Sequence, residues 1–188
     1  MPESLAGSIK AAAIQLEAVV GDVTTNLSRL ELMIREAAEH GAKLIAVPEF
    51  CTSRLPMQPH ASAAVLPTDN SVVDLFKALA AQFQCWIGGS MLVYQEGEIY
   101  NRYHFFEPNG SIHTHDKDYP TMWEGCFYTG GSDDGVFDTE LGGVGAAVCW
   151  ELIRNGTAKP WYKRYGREAG LKATLDYLQR ATADTVKK

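Results

Sequence analysis

The chain has 188 residues, 46% of them hydrophobic and 21% charged, with a net charge of −6. That is one domain's worth of length, and the composition excludes a disordered or collagen-like chain. The negative balance argues against nucleic acid as the main partner, because neutralising phosphates needs clustered Lys and Arg; no apolar run approaches the ~18 residues that cross a bilayer.

The first ten residues lack a basic start followed by an apolar run, so no secretory leader is expected. Residues 9–16 (IKAAAIQL) form a short apolar run that ends before Gly21-Asp22, which predicts a buried strand. Leu27, Leu30, Ile34 and Ala37 then fall at helical spacing, with Thr24, Thr25 or Asn26 as the N-cap and Gly41 as the stop. Residues 43–47 (KLIAV) predict a second buried strand, closed by Pro48-Glu49, so the opening reads as a βαβ unit. With Pro56, Pro59 and Pro67 and no period, residues 51–70 predict a long loop. A second amphipathic helix is predicted over 71–84, with Ser71 as its N-cap.

Three strands follow, over 85–94, 99–106 and 111–116, separated by turns at Glu96-Gly97-Glu98 and Pro108-Asn109-Gly110. Residues 135–139 and 143–149 predict one more hairpin, with a helix starting at Glu151. The sum is an α/β fold with a mixed, layered sheet. The four cysteines, Cys51, Cys85, Cys126 and Cys149, make no CxxC pair, which predicts reduced thiols and a cytoplasmic location. The end of the chain differs in character. Residues 154–188 hold nine Lys and Arg against three acids, whereas the preceding residues hold eight against twenty.

In open α/β sheets reactive groups collect beyond the carboxyl ends of strands. Glu49, Lys117 and Cys149 all stand at such ends. A thiol of pKa ~8.5 needs a base, which a carboxylate supplies. A buried ammonium, joined by the N–H of Trp150, would stabilise an oxyanion, and protonated Glu49 would return its proton to leaving ammonia. Each residue has a plainer account: an inert buried thiol at Cys149, a solvated acid at Glu49, a surface ion pair at Lys117. His113 and His115 alternate onto one strand face and, with Cys149, form a candidate metal set; without a third spaced ligand a solvent-exposed pair is the simpler account.

Taken in order, AAAIQLEAVVGDVTTNLSRLELMIREAAEHGAKLIAVPEF and HTHDKDYPTMWEGCFYTGGSDDGVFDTELGGVGAAVCWELIR resemble the nitrilase superfamily of carbon–nitrogen hydrolases. The resemblance implies a mixed-sheet layered sandwich of the nitrilase type. Its Glu–Lys–Cys triad falls on Glu49 as general base, Lys117 as oxyanion stabiliser and Cys149 as nucleophile, with Trp150 as the backbone donor. The spacing Glu124-x-x-x-Tyr128-x-x-Gly131 resembles the family's second, positioning glutamate with its aromatic and glycine. The implied reaction is hydrolysis of a small amide or carbamoyl group through a thioester, with no metal or organic cofactor and a homo-oligomeric assembly. Nitrile hydrolysis through a thioimidate is an alternative, since Trp150-Glu151 is reminiscent of the nitrile-acting branch. A catalytically inactive, nitrilase-like interaction module is another.

The resemblance ends near Ala158, where the charge reverses. The expected division is therefore a partial carbon–nitrogen hydrolase domain over 1–158 and a divergent, basic, helical tail over 159–188. A shortened or frame-altered member lacking its C-terminal half accounts for this break; a minimal variant whose tail helix (Leu171, Leu175, Leu178) covers the sheet is the competing expectation.

Overall fold

Two helical stretches of apolar spacing pack on a sheet whose central strand is buried along its length. The structure, a computed structural model, describes residues 8–54, 63–118, 120 and 122–152. The expected tail over 159–188 lies outside the described residues, as does 55–62 of the long loop.

In chain order the elements are β1 (Ala11–Ala13), α1 (Val23–Glu39), β2 (Leu44–Ala46), β3 (Leu66–Pro67), α2 (Ser71–Phe83), β4 (Trp86–Gln95), β5 (Glu98–Phe106), β6 (Ile112–Asp116), β7 (Val136–Thr139) and β8 (Gly142–Gly145). Short 3₁₀ turns lie at Met122–Cys126 and Cys149–Leu152. The main sheet runs β1-β2-β4-β5-β6, with β1, β2 and β4 parallel and β4, β5 and β6 antiparallel. The predicted mixed sheet is thus observed. β2 and β3 both pair in parallel with β4, β2 at residues 86–88 and β3 at residues 93–94.

Leu30 and Ile34 of α1 and Val72, Phe76, Leu79 and Ala80 of α2 bury one face of this sheet against Ile45, Ile87, Met91, Val93 and Phe106. A separate cluster of Phe105, Phe137 and Ala146, joined by Leu44, Trp86 and Val144, packs the β7–β8 hairpin onto the main sheet. The β4–β5 hairpin closes through Glu96 and Gly97, both at positive φ (+52° and +93°), as a two-residue hairpin loop requires.

Several boundaries differ from the sequence reading. The strand over 9–16 shrinks to β1, although Ile14 still donates its N–H to the Ala46 carbonyl at 2.8 Å. The N-cap of α1 is Asp22, whose carboxylate accepts from the Thr25 N–H at 2.9 Å. Asn26 is buried one turn in and does something else: it brackets the Val19 peptide and donates to the Thr52 carbonyl at 2.8 Å. The N-cap of α2 is Asn70 and not Ser71, because the Asn70 amide oxygen reaches the N–H groups of both Val72 and Val73. The last predicted strand stops at Gly145, three residues short of Val148, so Cys149 opens a 3₁₀ turn instead of ending a strand. Leu66–Pro67 adds a strand within the predicted loop.

Candidate active site

Glu49 follows β2, where the chain leaves its pairing with β4 but still runs beside it. Val47 donates to the Gly88 carbonyl at 2.8 Å and Cys51 to the Ser90 carbonyl at 2.9 Å. Between these anchors Phe50 turns through positive φ (+52°), a left-handed conformation costly for a residue with a Cβ. The kink sits in the bay between β2 and β3. Lys117 follows β6 directly, its N–H bonded to the Asn101 carbonyl at 3.0 Å.

The two side chains meet. Lys117 Nζ donates to Glu49 Oε1 at 2.9 Å and to Glu124 Oε2 at 2.8 Å, and the lysine is fully buried. Burial lowers its pKa, but the hydrogen bonds to Glu124 and Glu49 outweigh that, so the net displacement is upward and the amine stays an ammonium. The motif of Glu124, Tyr128 and Gly131 converges on the same lysine. The Tyr128 hydroxyl donates to Glu124 Oε2 at 2.6 Å, and the Gly131 N–H donates to the Lys117 carbonyl at 2.9 Å. Gly131 passes so close to the Asp116 carbonyl that a Cβ there would collide with it. Burial, together with the Glu124 carboxylate, pushes the Tyr128 phenol far up, so it remains a donor.

Cys149 stands at the start of its 3₁₀ turn at φ +57°, solvent-exposed. Burial pushes its thiol up and the Glu49 carboxylate adds to this; Lys117 and a hydrogen bond from the Trp150 N–H pull it down, and Glu124 pushes up again. The net direction is upward. Glu49, Lys117 and Glu124 are therefore one hydrogen-bonded cluster, and Cys149 lies within its electrostatic reach. Lys117 is buried, Cys149 is exposed, and Glu49 is hydrogen-bonded with its side chain 22% accessible.

Charges so placed can take a proton from a thiol, oppose a developing oxyanion and return the proton to a leaving group. The Carbon-nitrogen hydrolase family profile matches residues 10–165. The chain belongs to that family.

Among its relatives, a bifunctional nitrilase/nitrile hydratase, NIT4B of Nicotiana tabacum, is 27% identical over 167 residues, 77% of this chain and 47% of the relative. An omega-amidase, NIT2 of Mus musculus, is 29% identical over 155 residues, 77% of this chain and 56% of the relative. The carbon–nitrogen hydrolase chain thus spans about half the length of the curated relatives it matches. The crystal structure of Saccharomyces cerevisiae Nit3, a member of branch 10 of the nitrilase superfamily, superposes with TM-score 0.69 at 25% identity, covering 80% of this chain and 58% of that one. The carbon–nitrogen hydrolase XC1258 of Xanthomonas campestris gives 0.67 at 21% identity, covering 74% and 52%. The nitrilase-type α/β fold inferred from the motifs is the fold of these neighbours.

Two residues of this candidate site escaped the sequence reading. Asn101, fully buried on β5, donates its side-chain N–H to Glu49 Oε1 at 2.8 Å while its carbonyl holds Lys117. An asparagine on an aromatic-rich strand (IYNRYHFF) was the available signal, since a buried amide needs partners. Glu151, read as a helix start and as part of a Trp-Glu pair reminiscent of the nitrile-acting branch, is 1% exposed and bonded to His115. His113 and His115 do not share a ligand position. His113 Nε2 meets Glu107 at 2.7 Å, while the two nitrogens of His115 meet Asp133 and Glu151. Among the described residues the acidic and imidazole group compact enough for a cation is His115, Asp118 and Glu151, without Cys149. Both ring nitrogens of His115 are already engaged there, which does not suit a metal ligand. No helix of the described residues is long and apolar enough to cross a membrane.

Proposed function

We propose that this chain carries the reacting groups of a hydrolase for non-peptide carbon–nitrogen bonds, acting on a small amide or carbamoyl substrate. The observation that carries it is a fully buried ammonium between two carboxylates with a cysteine in their field. A thiol whose pKa lies above its ordinary value is protonated at neutral pH, so it needs a base at the moment of attack. Glu49 takes the Cys149 proton as the sulfur bonds to the substrate carbonyl carbon. The tetrahedral oxyanion is met by Lys117 and the Trp150 N–H, while Glu124, held by Tyr128, keeps the ammonium in place. The C–N bond breaks as protonated Glu49 delivers its proton to the nitrogen, leaving a thioester and free ammonia or amine. Water, deprotonated by Glu49, attacks the thioester; the thiolate leaves and is reprotonated, and a carboxylic acid departs.

A second reading, attack on a nitrile carbon, draws support from the tobacco relative, itself a nitrilase/nitrile hydratase, and from Trp150-Glu151. The test is ammonia release from a panel of small amides, carbamoyl compounds and nitriles. Cys149→Ala should abolish turnover, and Lys117→Ala should cost at least ~10²–10³-fold in kcat, the scale of losing an oxyanion donor. Turnover of none of the panel, or full turnover by Cys149→Ala, defeats the reading.

A further inference from the structure

Cys149 lies in a 3₁₀ turn of only four residues, at a positive φ that costs a non-glycine residue about 1–2 kcal/mol. Such a turn does not hold its own shape, so something must anchor it to the rest of the fold. The candidate is a carboxylate that the proposed chemistry does not use. Glu151, 1% exposed, accepts from the Val148 N–H at 2.6 Å and from the Asp118 N–H at 2.5 Å. Val148 precedes the thiol and Asp118 follows the ammonium, so one side chain ties together the two backbone segments that carry them. His115 Nε2 lies 3.2 Å from the same carboxylate, and His115 Nδ1 meets Asp133, which in turn accepts from the Asp116 and Gly135 N–H groups.

We propose that Glu151, clamped by His115, is a positioning residue that sets the Cys149 turn against Lys117. This rests on the reading of Cys149 as nucleophile. The charges around the clamp are consistent with it. Burial pushes His115 down, but the bonds to Asp133 and Glu151 raise it to about 10, so it is a cation facing two anions. Glu151 is displaced below its ordinary value, with His115 and the two N–H groups outweighing burial, while burial and Glu151 raise Asp118 to about 6. An anion saturated by two main-chain donors and an imidazolium is a fixed strut.

The test reads the sulfur directly. Alkylation of each cysteine by iodoacetamide is followed by mass spectrometry from pH 6 to pH 10, a range bracketing an ordinary thiol at ~8.5. Buried Cys51 and Cys85 report any opening of the fold. In the parent protein the Cys149 midpoint should lie above that of a free cysteine. In Glu151→Ala it should fall to ~8.5 as the sulfur leaves its part-buried place and the field of Glu49, with Cys51 and Cys85 still protected. An unchanged Cys149 midpoint overturns the proposal. Should Cys51 and Cys85 react in Glu151→Ala, Glu151→Gln decides instead, since it keeps the volume and removes one of two acceptor oxygens: a lowered midpoint supports the strut, and an unchanged one, or an opened fold again, overturns it. Glu49→Gln separates the two layers of reasoning. If it fails to lower the Cys149 midpoint, the triad reading is at fault; if it succeeds and the Glu151 variants do not, only the positioning role falls.

Discussion

Lys117 and His115 stand two residues apart at the end of β6, and each is a buried cation between two acids, yet the two centres are built to different ends. Around His115 the acids are saturated by main-chain donors: Asp133 takes the N–H groups of Asp116 and Gly135, and Glu151 those of Val148 and Asp118. Around Lys117 the partners are side chains, Asn101 on Glu49 and Tyr128 on Glu124, and Glu49 keeps 22% of its side chain open toward solvent. Asp133 is the more open of the two outer acids, its side chain 41% accessible, so what separates the centres is the kind of donor: main-chain N–H groups around His115, side chains around Lys117.

The sharpest way to break the comparison is to delete each cation. Lys117→Ala leaves Glu49 and Glu124 facing each other with no counter-ion. Stranding buried charge in this way costs about 3–5 kcal/mol, and denaturant unfolding should show a loss of that size unless one acid takes up a proton. The variant should also be inactive. If it unfolds at the parent's denaturant midpoint, the lysine does not hold the cluster together.

His115→Gln should cost less, about 3 kcal/mol near pH 6, because Asp133 and Glu151 retain their main-chain donors. Its sign with pH follows from the raised pKa. A group held at about 10 when folded and ~6.5 when unfolded stabilises fully below pH 6.5. That stabilisation fades as pH rises toward 10, by at most about 1.4 kcal/mol per pH unit. Parent and His115→Gln stabilities should therefore converge in alkali. Parallel curves from pH 6 to 10 would show that His115 carries no such charge.

Smaller again is the effect of the hydroxyl that donates to Glu124. Tyr128→Phe removes one hydrogen bond to a charged acceptor, worth about 1.5–3 kcal/mol, and leaves the ring against Phe50 in place. If Glu124 only positions Lys117, kcat should fall while KM holds; a change confined to KM would place Tyr128 with the substrate instead.

The contrast also marks what the sequence made legible. Glu49, Lys117 and Cys149 stood out as candidates because each follows a strand-like run in a motif with fixed spacing, and the buried helices announced themselves at Leu30, Ile34, Val72 and Leu79. The His115 brace stayed hidden because its members are held by backbone groups, and nothing in HTHD or VCWE says which N–H will face which carboxylate. Asp22 and Asn70 were missed as caps for a related reason: a cap depends on where a carboxylate or amide oxygen points, while several neighbouring polar residues satisfy the pattern equally. The strand expected to run to Cys149 ended early because Gly142, Gly143 and Gly145 supply little side chain to pack, and the main chain is drawn instead to Glu151 through Val148.

The smallest effect should have the opposite sign. Cys149 sits at φ +57°, where glycine has no Cβ to clash, and its side chain is exposed, so little burial is lost on truncation. Cys149→Gly should therefore abolish turnover while leaving stability equal or raising it by up to about 1 kcal/mol, from relieved backbone strain set against the added freedom of the unfolded chain. Cys149→Ala keeps the Cβ and should show the loss of activity without that gain. A strained cysteine of this kind is tolerable only if the brace beside it holds the turn, so the gain from glycine should shrink in a Glu151→Gln background, where the turn is freer to relax. Equal gains in the two backgrounds would mean that the strain belongs to the turn alone and that the two centres of β6 act independently.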